Sequence, residues 1–377
     1  MTIAPTLSIC IPTWNRCKYL EELLVSVIRQ AEAAGIADTV EVAISDNAST
    51  DGTGEMVRQL QRSTSVKILY ARNGRNIGPI KNFFSTVRMA NGKFAAISGD
   101  DDVVLENSLS RVVAALRSSE AMAGIFFLPG KETGGIPENA LVRDLAVSAI
   151  AREAFYLCGN PGYSAFRTDL AKAYLARHGD DDSWTCWPQT ELLFAAMAMS
   201  GQAIPAKVFP FQAFASPNHA SNVRHSSWYL TETLLFALHR TAIRLRPTTG
   251  QETYRAACGH IFGFRRVMRC CASLWPVLFF EPHETVRQTA VQCREHISAY
   301  GEWRVFIPLF VIRLLVACPK WFFWVAWTAR QLVKNPLEFG IRLAAIKFTR
   351  EKYLTLHRSS ADVSRTQLYD PAVDSHV

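Results

Sequence analysis

The sequence predicts an α/β fold, a mostly parallel sheet with helices on both faces, followed by a C-terminal helical region. Three observations carry that reading. Strand-length apolar runs alternate with helix-period segments through the first hundred residues, each run ends in a polar loop, and beyond His225 the pattern changes to long helical stretches rich in Leu, Phe, Trp and Arg. In a sheet of this kind ligands bind at the carboxyl ends of the strands, so the polar loops are expected to converge on one crevice.

The elements follow in order. "LSICIP" from Leu7 reads as a buried strand ending in the loop "TWNR", and Leu20, Leu23, Leu24, Val27, Ile28 and Ala31 then mark a helix with one apolar face. "VEVAIS" from Val40 is a second strand running into "DNASTDGT", and "VKILYA" from Val66 a third, running into "RNGRNIG". Ile80, Phe83, Phe84 and Val87 place a helix that closes at Asn91-Gly92, and "KFAAIS" is a fourth strand leading into "SGDDDV". A helix through Leu109, Val112, Val113 and Leu116, the strand "GIFFLP" and a turn at Gly134-Gly135 come next.

The domain reading is residues 1–215 for the α/β domain, 216–358 for a basic, aromatic-rich helical region, and 359–377 for a flexible polar tail. Pro247, Pro276, Pro308, Pro319 and Pro336 are expected to break the helices of the second region.

Composition narrows the partners. A net charge of +8 with 49% hydrophobic residues excludes general disorder and favours an anionic ligand or surface. The 9 cysteines include no CxxC pair, so neither a zinc cluster nor a disulfide framework is expected, and reduced thiols in a cytoplasmic setting fit. The N-terminus shows no secretory leader pattern.

Site chemistry concentrates at the strand ends. Asp100, Asp101 and Asp102 form a carboxylate cluster suited to a hard divalent cation, Mg²⁺ or Mn²⁺, or to a solvated turn that caps the next helix. Thr13, Asn15 and Arg16 after the first strand offer hydroxyl, amide and guanidinium donors, and Asp46 and Asn47 after the second can accept from a base or ribose. Arg72, Asn76 and Lys81 fall near the same edge, with Gly78 permitting close backbone approach.

"SICIPTWNR", "VAISDNASTDGT", "NIG" and "GKFAAISGDDDVV", in that order and spacing, resemble the nucleotide-sugar glycosyltransferases of family 2, which have the GT-A fold. The resemblance covers about the first third of the chain. It implies that Pro12, Thr13, Trp14, Asn15 and Arg16 border the nucleotide, that Asp46 contacts the base, and that the aspartates hold a divalent metal on the sugar diphosphate. Asp101 is then the main metal ligand, Asp100 faces the ribose or sugar, and Asp102 supports. The commonest family form has an Asp where this chain has Gly99.

Sugar transfer also needs a base to take the acceptor hydroxyl's proton. The family's Glu-Asp pair is absent, and "DDDSWTCWPQTELLFAAMAMSG" offers Glu191 first and Asp182 second, although Glu191 can equally serve the positive end of its own helix. "GNPGYSAFRTDL" resembles the acceptor-side loop and strand, with Tyr163 and Ser164 facing substrate, while Trp184 and Trp187 read as packing residues.

From Trp303 to Arg330 the apolar stretches are interrupted by Arg313 and Lys320, short of the roughly 20 residues a bilayer span needs. Trp321, Trp324 and Trp327, with Arg342, Lys347 and Arg350, instead suit an element lying in the membrane surface or an ordinary buried helical packing domain. The resulting expectation is an inverting glycosyltransferase on the cytoplasmic face of the membrane. Its acceptor is a lipid-linked or glycan hydroxyl, on a polyprenyl-diphosphate-linked chain of a surface polysaccharide such as O-antigen or capsule. Nucleic acid is not an expected partner. A nucleotidyltransferase using the same carboxylates, or a non-catalytic nucleotide-sugar-binding scaffold, is the alternative.

Overall fold

The computed structural model describes residues 4–128, 142–157, 162–179, 181, 184–215, 232–263, 291, 295, 296 and 299. The Gly134-Gly135 turn, Asp182, the surface element expected between Trp303 and Arg350 and the tail from residue 359 lie outside them. The chain divides into two compact units, Met1–Asn222 with Ala237–Ile261, and Val223–Phe236 with Phe262–Val377.

The first unit is built on an eight-stranded sheet of order β3-β2-β1-β4-β8-β6-β9-β7. Its parallel half is β1 (Leu7–Thr13), β2 (Val40–Asp46), β3 (Lys67–Arg72) and β4 (Phe94–Ile97). All seven residues of β2 are buried, as expected for a strand covered on both faces. At the edge, β3 exposes Lys67 and Arg72, charges that blunt further pairing.

Side-chain alternation assigns the faces. Ile9 and Ile11 join the core formed with Leu20, Leu23, Leu24 and Val27 of α1 (Cys17–Ala33), Val57 of α2 (Thr53–Ser63) and Leu109 and Val112 of α4 (Ser108–Arg117). Cys10, between them, turns to the opposite face, where its thiol meets the Thr86 carbonyl of α3 (Pro79–Met89) at 3.7 Å. The expected stripe of α1 is buried except for Ile28, which is half-buried. Gln30 is also buried, donating to Val104 O at 3.0 Å and accepting from Leu109 N at 3.3 Å.

Beyond β4 the sheet turns mixed. β8 (Ser164–Arg167) runs antiparallel between β4 and β6 (Gly124–Phe127), while β9 (Ala206–Phe209) lies parallel to β6 and antiparallel to β7 (Arg143–Leu145). Helices α5 (Val147–Ala154), α6 (Thr168–His178) and α7 (Pro188–Met199) complete the chain to residue 199.

A two-residue strand, β5 (Val103–Val104), pairs antiparallel with β10 (Phe214–Ala215). Leu105 N and Ser108 Oγ both donate to Ala213 O, at 3.0 and 2.7 Å, so the segment leaving the aspartates is tied down at once.

The helix Leu238–Ile261, here α8, belongs to the first unit although the sequence placed it in the second region. It breaks at Gly250, whose φ of +84° is open to glycine at little steric cost. A π-helical turn, Glu232–Ala237, precedes it.

Candidate active site

β1 pairs with β4 only as far as Cys10↔Ile97. Ser98 N still donates to Cys10 O at 3.0 Å, but Pro12 has no N–H to extend the ladder. The two chains separate there, β1 into Thr13–Arg16 and β4 into Ser98–Asp102.

Side chains bridge that separation. Thr13 Oγ1 donates to Asp100 Oδ2 at 2.9 Å. Arg16 Nη1 donates to Asp101 Oδ2 at 2.8 Å and reaches Asp100 Oδ1 at 3.4 Å. The charge partner that three adjacent carboxylates call for is therefore Arg16, from the neighbouring strand end.

The aspartates differ in role. Burial pushes the Asp100 carboxyl up to about 6, although Arg16, the Thr13 hydroxyl and the Trp14 N–H offset part of the effect. Asp101 keeps its side chain 15% exposed beside Arg16. Asp102 is turned inward, and its Oδ2 accepts the Gly99 N–H at 2.7 Å and the Ser98 hydroxyl at 3.4 Å. A side chain on Gly99 would bring its Cβ to 3.0 Å from Asp101 Oδ1 and 3.1 Å from Asp102 Oδ2, so the turn is shaped around glycine.

Asn15 adopts φ +52°, and its side chain and backbone clamp the second loop: Oδ1 accepts from Thr50 N at 2.8 Å, and its N–H donates to Ser49 Oγ at 2.9 Å. Asp51 closes the same contact from the other side, accepting from Cys17 N at 2.9 Å at the start of α1. Trp14 stands out at 39% exposure, while Pro12 is half-buried.

Asp46, expected to contact the base, is enclosed by its own neighbours. It is 0% exposed, with Oδ1 on Ser49 N at 2.8 Å and Oδ2 on the Tyr70 hydroxyl at 2.6 Å. Asn47 and Asn76 likewise bind each other, Nδ2 to Oδ1 at 2.7 Å. Asn47 Oδ1 accepts from Ile77 N at 2.8 Å and Asn76 Oδ1 from Gly78 N at 2.9 Å. These residues shape the loops after β2 and β3, beside Thr13 to Arg16. Asn82, which sequence reading passed over, does so too, donating to Ser45 O at 3.0 Å and accepting from Ser45 Oγ at 2.7 Å.

Residues 8–169 match the family model described as glycosyl transferase family 2. They are a family 2 glycosyltransferase domain.

Among similar proteins, the abequosyltransferase RfbV of Salmonella typhimurium is 42% identical over 128 residues, 34% of this chain and 37% of its own. The GalNAc(5)-diNAcBac-PP-undecaprenol beta-1,3-glucosyltransferase of Campylobacter jejuni is 29% identical over 122 residues, 32% of this chain and 37% of its own. The chain thus spans little more than a third of these curated relatives. TarS of Staphylococcus aureus has a solved structure that superposes with a TM-score of 0.53 at 18% identity, over 82% of this chain and 53% of that one, which shows the shared fold.

In this glycosyltransferase domain and the helices packed on it, Glu191 lies in the first turn of α7, as the sequence placed it. It is 0% exposed; its Oε1 accepts from the Tyr174 hydroxyl at 2.9 Å and from Arg244 Nε at 3.0 Å, and its Oε2 lies 3.2 Å from the same Nε. Burial pushes its pKa up, with Arg244 and Tyr174 offsetting part of that. The enclosed carboxylate ties α7 to α8 through Arg244. Arg244 also stacks over Trp184, 4.9 Å from the ring centroid, and reaches Asp181 at 3.5 Å.

Tyr163 and Ser164, expected to face substrate, are 9% and 7% exposed. They follow Gly162, which takes φ +74° and donates to Ile97 O at 2.6 Å. A Cβ there would meet Phe214 Cβ at 2.4 Å. Trp187 packs edge-on against Tyr156 with centroids 5.6 Å apart.

Proposed function

We propose that the chain is a glycosyltransferase moving a sugar from a nucleotide-sugar donor to a hydroxyl acceptor. The observation that carries this reading is the convergence of Thr13, Arg16, Asp100 and Asp101 at the ends of β1 and β4 inside a family 2 domain. The donor lies along Pro12 to Arg16, with Trp14 offering an exposed aromatic face. Asp100 faces the ribose or sugar. Asp46, Asn47 and Asn76 act on the nucleotide through the loops they hold.

Asp101 is the residue we assign to a divalent cation, Mn²⁺ or Mg²⁺. Among the described residues no group of three or more His, Cys, Asp or Glu converges on one point. A hard cation takes one or two carboxylates and completes its shell with water and phosphate. The partly exposed Asp101 side chain beside the more exposed Arg16 fits such a ligand, and Asp102 supports it by holding the turn. When bound, the cation would neutralise charge on the departing diphosphate. Positioning by Thr13 and the clamped loops does the rest.

With Glu191 enclosed, we assign the base to Asp182, next to the exposed Asp181. Inversion at the anomeric carbon follows from direct attack by the activated hydroxyl. For the acceptor we propose a polyprenyl-diphosphate-linked glycan of a bacterial surface polysaccharide. The undecaprenol-linked acceptor in the Campylobacter relative's name and the abequosyltransferase in Salmonella support it, and TarS has been solved with UDP-GlcNAc and with UDP. Among the described residues no helix is long and apolar enough to cross a membrane. We place the chain on the cytoplasmic membrane surface through its basic C-terminal region.

The test is incubation of purified protein with Mn²⁺ or Mg²⁺ and a panel of nucleotide sugars, with and without membrane extract. Release of a nucleoside diphosphate that depends on extract is expected. Release of pyrophosphate instead would replace glycosyl transfer with nucleotidyl transfer.

A further inference from the structure

Two contacts at the end of β1 raise a conflict. One of the two Asp101 oxygens, Oδ2, is already taken by Arg16 at 2.8 Å, and the same Nη1 serves Asp100 at 3.4 Å. A guanidinium and a divalent cation cannot share that oxygen without direct like-charge repulsion.

We infer that Arg16 is the resident counter-ion of Asp100 and Asp101 and must release Asp101 Oδ2 before a divalent cation binds there, so that cation and diphosphate load together. The inference rests on the assignment of Asp101 to a cation and deepens it.

Burial decides which partner moves. The Arg16 side chain is 42% exposed, against 12% for Asp100 and 15% for Asp101. Asp100 is fixed by the Thr13 hydroxyl, while the guanidinium offers one nitrogen to two oxygens and makes no bidentate fork. The Arg16 backbone stays put, because its carbonyl accepts Leu20 N at 3.0 Å and the next N–H is held by Asp51. Release is therefore a side-chain rotation from a fixed stem, which costs no core contact.

Once released, the guanidinium remains on the loop that carries Thr13 and Trp14, where a planar fork can take diphosphate oxygens. In the free protein Arg16 neutralises the carboxylates. In the loaded one the cation does so and Arg16 neutralises the leaving group.

Arg16 should thus oppose the cation alone and favour the nucleotide alone, a pair of opposite signs that an arginine remote from the carboxylates does not produce. The experiment titrates the full chain with Mn²⁺ in the absence of nucleotide, following free Mn²⁺ by electron paramagnetic resonance. Arg16→Gln should bind Mn²⁺ about tenfold more tightly than wild type, and Arg16→Lys, which keeps the charge, should stay near wild type. With EDTA present, calorimetry with UDP, GDP, CDP and dTDP should show weaker binding of the accepted diphosphate by Arg16→Gln.

Circular dichroism checks folding, and Arg16→Met repeats the measurement if the Gln variant fails. Equal or weaker Mn²⁺ binding in the folded variant overturns the competition. Absence of saturable Mn²⁺ binding in wild type and variant alike, with diphosphate binding retained in EDTA, instead overturns the assignment of Asp101 to a cation.

Discussion

Arg16 Nη1 and Asp101 Oδ2, 85 residues apart in sequence, meet at 2.8 Å and join the loop after β1 to the loop after β4. Neighbouring Asp102 is bound instead to its own turn. The carboxylates of one short run therefore divide into outward and inward roles.

That division predicts different failures for two similar substitutions. Asp101→Ala should leave the melting temperature near wild type and reduce sugar transfer by about a hundredfold or more. Asp102→Ala removes the acceptor of the Gly99 N–H and should cost about 1–3 kcal/mol in urea unfolding. Equal loss of stability in both variants would contradict the division.

The Glu191–Arg244 pair predicts an effect on stability first. Arg244→Met leaves a 0% exposed carboxylate without its cation and should cost about 3–5 kcal/mol by chemical denaturation, most of it recovered in the double variant with Glu191→Gln. A Glu191→Gln protein of full stability that binds donor but does not turn over would restore Glu191 as the base.

Tyr70→Phe removes the hydroxyl that holds Asp46 Oδ2 and should cost about 1–2 kcal/mol. Hydrogen exchange should quicken at Ser49 and Thr50 more than in the strands, because the Asp46 carboxylate shapes that loop.

Cys10 provides a test of the sheet itself. Burial pushes its thiol from 9.0 up to about 12, so at pH 8 it should resist alkylation while exposed Cys186 reacts, as read by peptide mapping. Above pH 9 the unfolded chain loses a proton that the folded one keeps. Stability should fall as pH rises from 9 towards 12, and Cys10→Ala should flatten that fall.

Much of this fold is legible in the chain because its signals are local. The runs at Leu7, Val40 and Phe94 are apolar over strand length, and the α1 stripe repeats at helical spacing. β8 was harder to place as an antiparallel insertion, since "SAFR" has no periodicity that states its neighbours. The surroundings of Asp46 and Glu191 were not legible, for one shared reason. Each is a carboxylate at a strand end or helix start, and a motif cannot say whether Tyr70 or Arg244 will arrive to enclose it. Arg244 lies 53 residues from Glu191, in a helix that carries no motif of its own.

By itself the sequence determined the alternation of strand and helix, the polar loops at the strand ends, and the aspartate run that marks the site. Tertiary structure alone decided which carboxylate oxygens face outward, that Arg16 neutralises Asp100 and Asp101, and that Glu191 belongs to the interior. The physical reason is range. Secondary structure follows from the spacing of neighbours along the chain, whereas the state of a carboxylate is set by burial and by charges that folding delivers from elsewhere.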